Sequence, residues 1–183
     1  MFGVSLGIID SGGAGGGGGA SFESIATATG TGSSGTITFS SIPSTYKHLQ
    51  IRSLNIPSAV TTLYISCNSL GGTNYAQHFL LGEGTTTAAG GAANSSSVYV
   101  CGLFTSINTT NPNVSIIDVQ EYKSTTQNKT IRIFSGHDNN GGGEVNLVSG
   151  LVKTTNAITS ISLFLGSGNF ATTSVFSLYG IKG

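Results

Sequence analysis

The sequence predicts an all-β protein: a two-sheet antiparallel β-sandwich, with a jelly roll among its candidate topologies, behind an extended glycine-rich N-terminal arm. Three observations lead there. Short runs of Ile, Val, Leu, Phe and Tyr recur between Gly, Asn, Asp and Ser clusters, at a spacing of about 8–12 residues. No apolar period of about 3.6 residues persists over three helical turns. The polar complement is Ser, Thr and Asn, with 28 glycines, 3 prolines and no tryptophan, a mixture that suits strands and turns better than helices.

The bulk numbers bound the answer further. A chain of 183 residues fits one domain, and 38% hydrophobic residues are enough for a sizeable core. Charged residues are only 8%, against about 25% in an ordinary soluble domain. Formal net charge is zero, so little long-range repulsion keeps copies apart. The same balance argues against nucleic-acid binding, which needs a basic surface. No run reaches the length of a membrane span, so no membrane insertion is expected. No signal peptide is evident, since the start lacks a basic region before its short apolar part. Cys67 and Cys101 each end an apolar run, YISC and VYVC, and read as buried small hydrophobes.

Taken in order, residues 1–20 form the arm and residues 21–183 the sandwich domain. Phe2, Val4, Leu6 and Ile8 alternate as one strand would, and DSGGAGGGGGA follows with no side chains to build a core. Such an arm suits docking onto a partner by adding a strand to an open edge. Residues 22–29 and 36–39 alternate and read as strands. Residues 47–55 place Leu49, Ile51 and Ser53 on one face, while Leu54 and Ile56 fall on the other. That switch of apolar face suggests a bulge or a strand buried on both sides. Residues 60–67 and 75–81 read as strands. Residues 82–96, GEGTTTAAGGAANSS, read as a long polar loop that is either functional or held by a neighbour. Strands resume at 97–104 and at 114–122, where Ile116 and Val119 fall out of strict register and suggest a bulge. Residues 129–135 alternate cleanly, with Ile131 and Ile133 opposite Arg132 and Phe134. Residues 144–153 form a strand whose Gly150 marks a bulge or a close approach. The last stretch, AITSISLFLGSGNFATTSVFSLYGIKG, reads as two core strands joined as a hairpin around Gly166–Asn169.

Candidate chemistry is weak. His137-Asp138 resembles half of a general-base arrangement, but a nucleophile and oxyanion donors have no sequence signature here. Asp138, Asn140, Gly142 and Glu144 resemble the start of a calcium loop, yet Ser149 stands where the pattern needs a bidentate glutamate. These residues read instead as a turn whose Asp and Asn cap their own backbone. His48, His78 and His137 lack zinc-ligand spacing. The glycine tract lacks the Lys-Ser/Thr of a phosphate loop. Asn94, Asn108, Asn113 and Asn128 open Asn-x-Ser/Thr triplets, at the frequency chance provides in so Ser/Thr-rich a chain. Tyr64, Tyr75, Tyr99, Tyr122 and Phe134 serve either as core or as the lining of a sugar groove. Catalytic, cofactor and metal residues are therefore expected to be none, and the chain is not expected to be an enzyme.

SFESIATATGTGSSGTITFSSIPSTYKHLQIRS, followed late in the chain by IRIFSGHDNNGGGEVNLVSGLVKTTNAITSISLFLGSGNF and FSLYGIKG, resembles a group of small tailed-bacteriophage virion and tail-associated proteins. The likeness covers most of the chain after Ser21 and is weakest over residues 61–113. It implies a component of a bacteriophage particle and does not say where on the particle it sits. The expectation taken here is a structural protein of the virion, tail-, baseplate- or fibre-associated and attached through its N-terminal arm, with capsid decoration as a cement protein, or carbohydrate binding at the host surface, as the alternatives. The expected partners are copies of the chain itself and other virion proteins, with a host-surface glycan under the last alternative. The group carries no catalytic residues to transfer.

Overall fold

The structure, a computed structural model, describes residues 21–102 and 107–183; the expected arm and its strand lie outside them. Twelve strands and no helix are present among the described residues. In chain order they are β1 (Phe22–Thr29), β2 (Thr36–Phe39), β3 (His48–Asn55), β4 (Leu63–Cys67), β5 (Tyr75–Glu83) and β6 (Thr86–Ser95). Then come β7 (Val98–Cys101), β8 (Asn113–Gln120), β9 (Lys129–Asp138), β10 (Gly143–Val152), β11 (Ile161–Leu165) and β12 (Val175–Ile181).

The strands make two antiparallel sheets, as the composition and turn spacing predict. The large sheet has eight strands in the order β1-β12-β3-β8-β9-β10-β5-β6, and the small one has four in the order β2-β11-β4-β7. Their inner faces make one core. Leu49, Ile51, Ile117, Ile131 and Phe176 come from the large sheet, and Leu63, Ile65, Ile161 and Leu163 from the small one. Each of these follows a period of two along its strand, which is what drives a pleated chain to bury one face.

Several expectations are corrected. The last two strands are not a hairpin: β11 pairs with β2 and β4, whereas β12 pairs with β1 and β3 in the other sheet. Residues 166–174 carry the chain across. Phe170 is buried there, edge-on to Phe176 at 4.8 Å, and its amide donates to Ser34 O. An apolar plug and a buried Ser174 replace the tight turn that Gly and Asn alone suggested.

Residues 82–96 are not a loop. β5 runs on to Glu83, the chain turns at Gly84 (φ 54°), and β6 pairs back along β5 as the sheet edge. The strand was hidden because it has no large apolar side chain; its ladder to β5 and its fit under two rings hold it instead. A Cβ on Gly90 would lie 2.7 Å from Phe79 Cζ, and one on Gly91 2.7 Å from His78 Cδ2.

The suspected bulges in β3 and β8 are absent, because both strands keep unbroken register with their neighbours. In β3 the inward face continues from Ile51 to Ser53 and Asn55, and Leu54 faces out. In β8, Ile117 and Val119 face in while Ile116 faces out. At Gly150 the ladder is also unbroken, and close approach is the reason for glycine: a Cβ would sit 2.7 Å from Val98 Cγ2. Ile131 and Ile133 point inward opposite Arg132 and Phe134, as the alternation predicts.

Two substitutions test this packing by urea unfolding. Phe176→Ala removes a fully buried ring and should cost about 3–5 kcal/mol, much of a typical domain's ~5–15 kcal/mol. Gly180→Ala should also destabilise, since its Cβ would stand 2.3 Å from Cγ of the buried Tyr46 ring, which has no flexible end to yield. Unfolding midpoints equal to that of the parent protein would contradict the sandwich core described here.

Candidate functional site on the outer face of the large sheet

A sheet that spends one face on the core usually shows water a polar second face. Here the second face of the large sheet carries an apolar belt. Every strongly exposed large apolar side chain among the described residues lies on it, apart from Val60. The register sorts them into cross-strand rows. One row runs Arg52, Ile116, Phe134, Leu147 and Leu80 over β3, β8, β9, β10 and β5. The next runs Val175, Leu54, Val114, Gly136 and Val145, ending at Gly82. Phe134, Leu147 and Leu80 keep 52%, 55% and 54% of their surface exposed.

On the other side of the first row runs a polar one: Gln50, Asp118, Arg132, Ser149 and His78. Arg52 Nε donates to Gln50 Oε1 (2.9 Å), and Gln50 Nε2 donates to Asp118 Oδ1 (2.9 Å). Arg52 also stands 5.5 Å from the Phe22 ring centre and 5.9 Å from that of Tyr179, and these two rings stack at 4.8 Å. Arg132 has no hydrogen bond or ion pair among the described residues, and its guanidinium is free to meet a partner. Between the polar row and the apolar belt lies a shallow depression of about 660 Å³ around Phe134, Ile116 and Leu147. A second, of about 340 Å³, lies between Arg52, Val114 and Val145. Exposed apolar surface of this extent marks an interaction face. Asp118, Arg132, Ser149 and His78 form its polar rim, and among the described residues no group of three or more His, Cys, Asp or Glu side chains is placed to hold a metal ion.

The residues singled out in the sequence fall elsewhere. Tyr75, Tyr99 and Tyr122 are buried in the core, which overturns a sugar groove built on them. Tyr64 stacks on Phe164 at 5.6 Å in the small sheet, so Phe134 alone reaches the candidate face. His137 and Asp138 are successive strand residues and point to opposite sides of the sheet. Asp138 Oδ1 accepts from Asn140 N (2.7 Å), the turn-capping role its sequence suggests. Glu144 points away from that turn, buried under Tyr99 and Gly102; it accepts from the Tyr99 hydroxyl (2.5 Å) and from Gly102 N (3.0 Å). The calcium-loop residues are thus not brought together. His48 accepts from Glu121 N at its Nδ1 (3.0 Å) on β3, far from His78 on β5 and His137 on β9 in the strand order. Asn113 is fully buried, which removes its glycosylation triplet.

Sequence reading missed the polar layer beneath the sheet. Ser135 Oγ donates to Val100 O (2.6 Å), Asn113 Nδ2 to Gly136 O (3.2 Å) and Asn55 Nδ2 to Asn113 Oδ1 (3.1 Å). Nδ1 of His137 lies 3.6 Å from Cys101 Sγ, while its Nε2 has no partner. Burial pushes the Cys101 thiol up to about 12, with the Glu144 charge adding to the rise, and pushes the His137 imidazole below 6.5 against the pull of Glu144 and Asp138. Burial alone pushes the Cys67 thiol up to about 12. Both cysteines are free, buried and held as thiols, so the layer braces the two sheets and offers no thiolate–imidazolium pair. No protein-family model, curated protein or solved structure matches the chain.

The depressed His137 gives a pH signature. The unfolded imidazole, near 6.5, takes up its proton before the native one does, so protonation favours unfolding. His137 should make stability fall as pH drops below about 7, down to its lowered native value. Urea midpoints measured between pH 7.5 and pH 5 should fall less steeply in His137→Gln than in the parent chain. Parallel slopes would show that His137 is not buried neutral.

Proposed function

We propose that this chain is a structural component of a bacteriophage particle, tail-associated, that packs against neighbouring subunits through the outer face of its large sheet. The observation that carries the reading is the apolar belt on that face, in a chain with 8% charged residues and no net charge. Such a surface is a liability for a free monomer and an asset for a part built into an assembly. The resemblance of the segments beginning SFESIAT and ending LYGIKG to tailed-phage proteins supplies the particle. Capsid decoration is the alternative placement.

The strand order supports the same reading. With the β5–β6 and β9–β10 hairpins set aside, the two sheets read β1-β12-β3-β8 and β2-β11-β4-β7. Apart from β4 and β7, which follow each other within the small sheet, successive strands then alternate between the sheets in the manner of a jelly roll, an architecture that viral capsid and lectin domains share. In this reading the two hairpins widen one sheet and so enlarge the docking face. Residues 1–20 would supply a second attachment, as a strand added to a neighbour's edge.

The test is incorporation. Phe134→Glu with Leu147→Glu should leave a cooperatively folding protein, since both side chains point to solvent, and should abolish its recovery in purified particles. Undiminished incorporation of that folded variant would overturn docking through this face.

A further inference from the structure

We propose that the outer face of the large sheet packs against the same face of a second copy, about a twofold axis lying along the strands between β8 and β9. The inference rests on the reading of this face as a docking surface and adds the occupant.

The first constraint is the kind of partner the face accepts. A sheet face presents side chains only. An extended segment laid on it would leave its own backbone N–H and C=O groups buried without partners. The occupant must therefore arrive with its backbone already paired, as another sheet does. Two sheets packed face to face sit about 10 Å apart with strands within about 30° of each other. A twofold along the strands keeps the strand directions aligned, as that packing requires.

The second constraint is complementarity. The boundary between β8 and β9 is the midline of the large sheet, with β1, β12, β3 and β8 on one side and β9, β10, β5 and β6 on the other. A twofold there sets each side of the face on the other, so residue i meets j and j meets i. In the polar row Asp118 comes opposite Arg132 of the second copy, and Arg132 opposite its Asp118. This gives the guanidinium without an ion pair in the single chain a carboxylate, twice per dimer. Gln50 comes opposite Ser149. In the row of Ile116, that residue meets Phe134, and Arg52, which donates to Gln50 and lies by the Phe22 and Tyr179 rings, stands opposite Leu147. In the next row, large meets small: Val114 faces Gly136 and Val175 faces Gly82, while Leu54 faces Val145. No row sets like charges opposite each other.

The area sets the strength. Six strands about 4.8 Å apart and three rows about 7 Å apart give roughly 500 Å² per copy. The total of roughly 1,000 Å² is at the floor for a specific interface, so the free dimer should be weak, with a dissociation constant in the micromolar range or above. High local concentration in a particle would complete it.

Charge reversal tests the axis. Sedimentation equilibrium of the full chain up to several hundred micromolar should show a monomer–dimer equilibrium. Asp118→Arg alone, or Arg132→Asp alone, should weaken it about tenfold or more at low salt by setting like charges opposite. An equimolar mixture of the two variants restores both opposite-charge contacts across the axis and should dimerise again, as heterodimers. A chain that stays monomeric at all concentrations, or a mixture no tighter than its parts, would overturn the twofold. If that happens while Phe134→Glu with Leu147→Glu still abolishes particle incorporation, the docking face stands and its occupant is a different virion protein. If incorporation is also unaffected, both readings fall.

Discussion

The unbroken antiparallel ladder from β12 through β3, β8, β9 and β10 to β5 is the constraint on which the molecule depends. Side chains alternate between its faces, so a slip of one residue in any strand would exchange inside for outside. Hydrophobicity alone does not choose the register here. In β10, Val145, Leu147 and Leu151 face out while Val148 and Val152 face in, and in β8 Ile116 and Ile117 are neighbours on opposite faces. The polar groups decide. Asn55, Asn113, Ser135, Glu144 and Asn146 lie inside, and apart from Asn55 Oδ1 they find hydrogen-bond partners in the observed register. Leaving one of them unpaired would cost about 1–3 kcal/mol. Slippage would strand several at once.

These buried polar groups also tie the sheets together. Ser135 on β9 and Glu144 on β10 bond to the backbone of Val100 and Gly102, at the end of β7 in the small sheet. The sandwich is therefore closed by one apolar core and, beside β7, by hydrogen bonds between the sheets. One consequence is a depressed imidazole at His137. Another is the outward belt: with polar side chains inside, the apolar residues of the same strands face out.

Much of the fold was legible in the sequence. Alternation in KTIRIFS, the turn at Asp138–Asn140 and the strand ending at Ile181 follow from local pattern. Three features were not legible, each for a physical reason. β6 has no apolar phase to detect, since its stability comes from pairing and from rings lying over Gly90 and Gly91. The β11 to β12 crossing depends on Phe170 reaching a core made by distant strands, which no local turn signal records. The candidate face was hidden because Leu54, Val114, Leu147 and their neighbours look like core residues in sequence. Only the register shows that the core is complete without them. The trace they did leave was the apparent change of face in β3 and β8, which suggested bulges and instead marked Leu54, Val114 and Ile116 as apolar residues on the outward face.

A sandwich of zero net charge with an apolar belt on one sheet face suits the proposed role of a part that its neighbours cover. The most direct test is electron cryomicroscopy of an intact particle at a resolution that traces this chain. The account predicts that the outer face of the large sheet, around Phe134 and Leu147, is covered by a second sheet at about 10 Å. A particle in which that face looks onto solvent would contradict it.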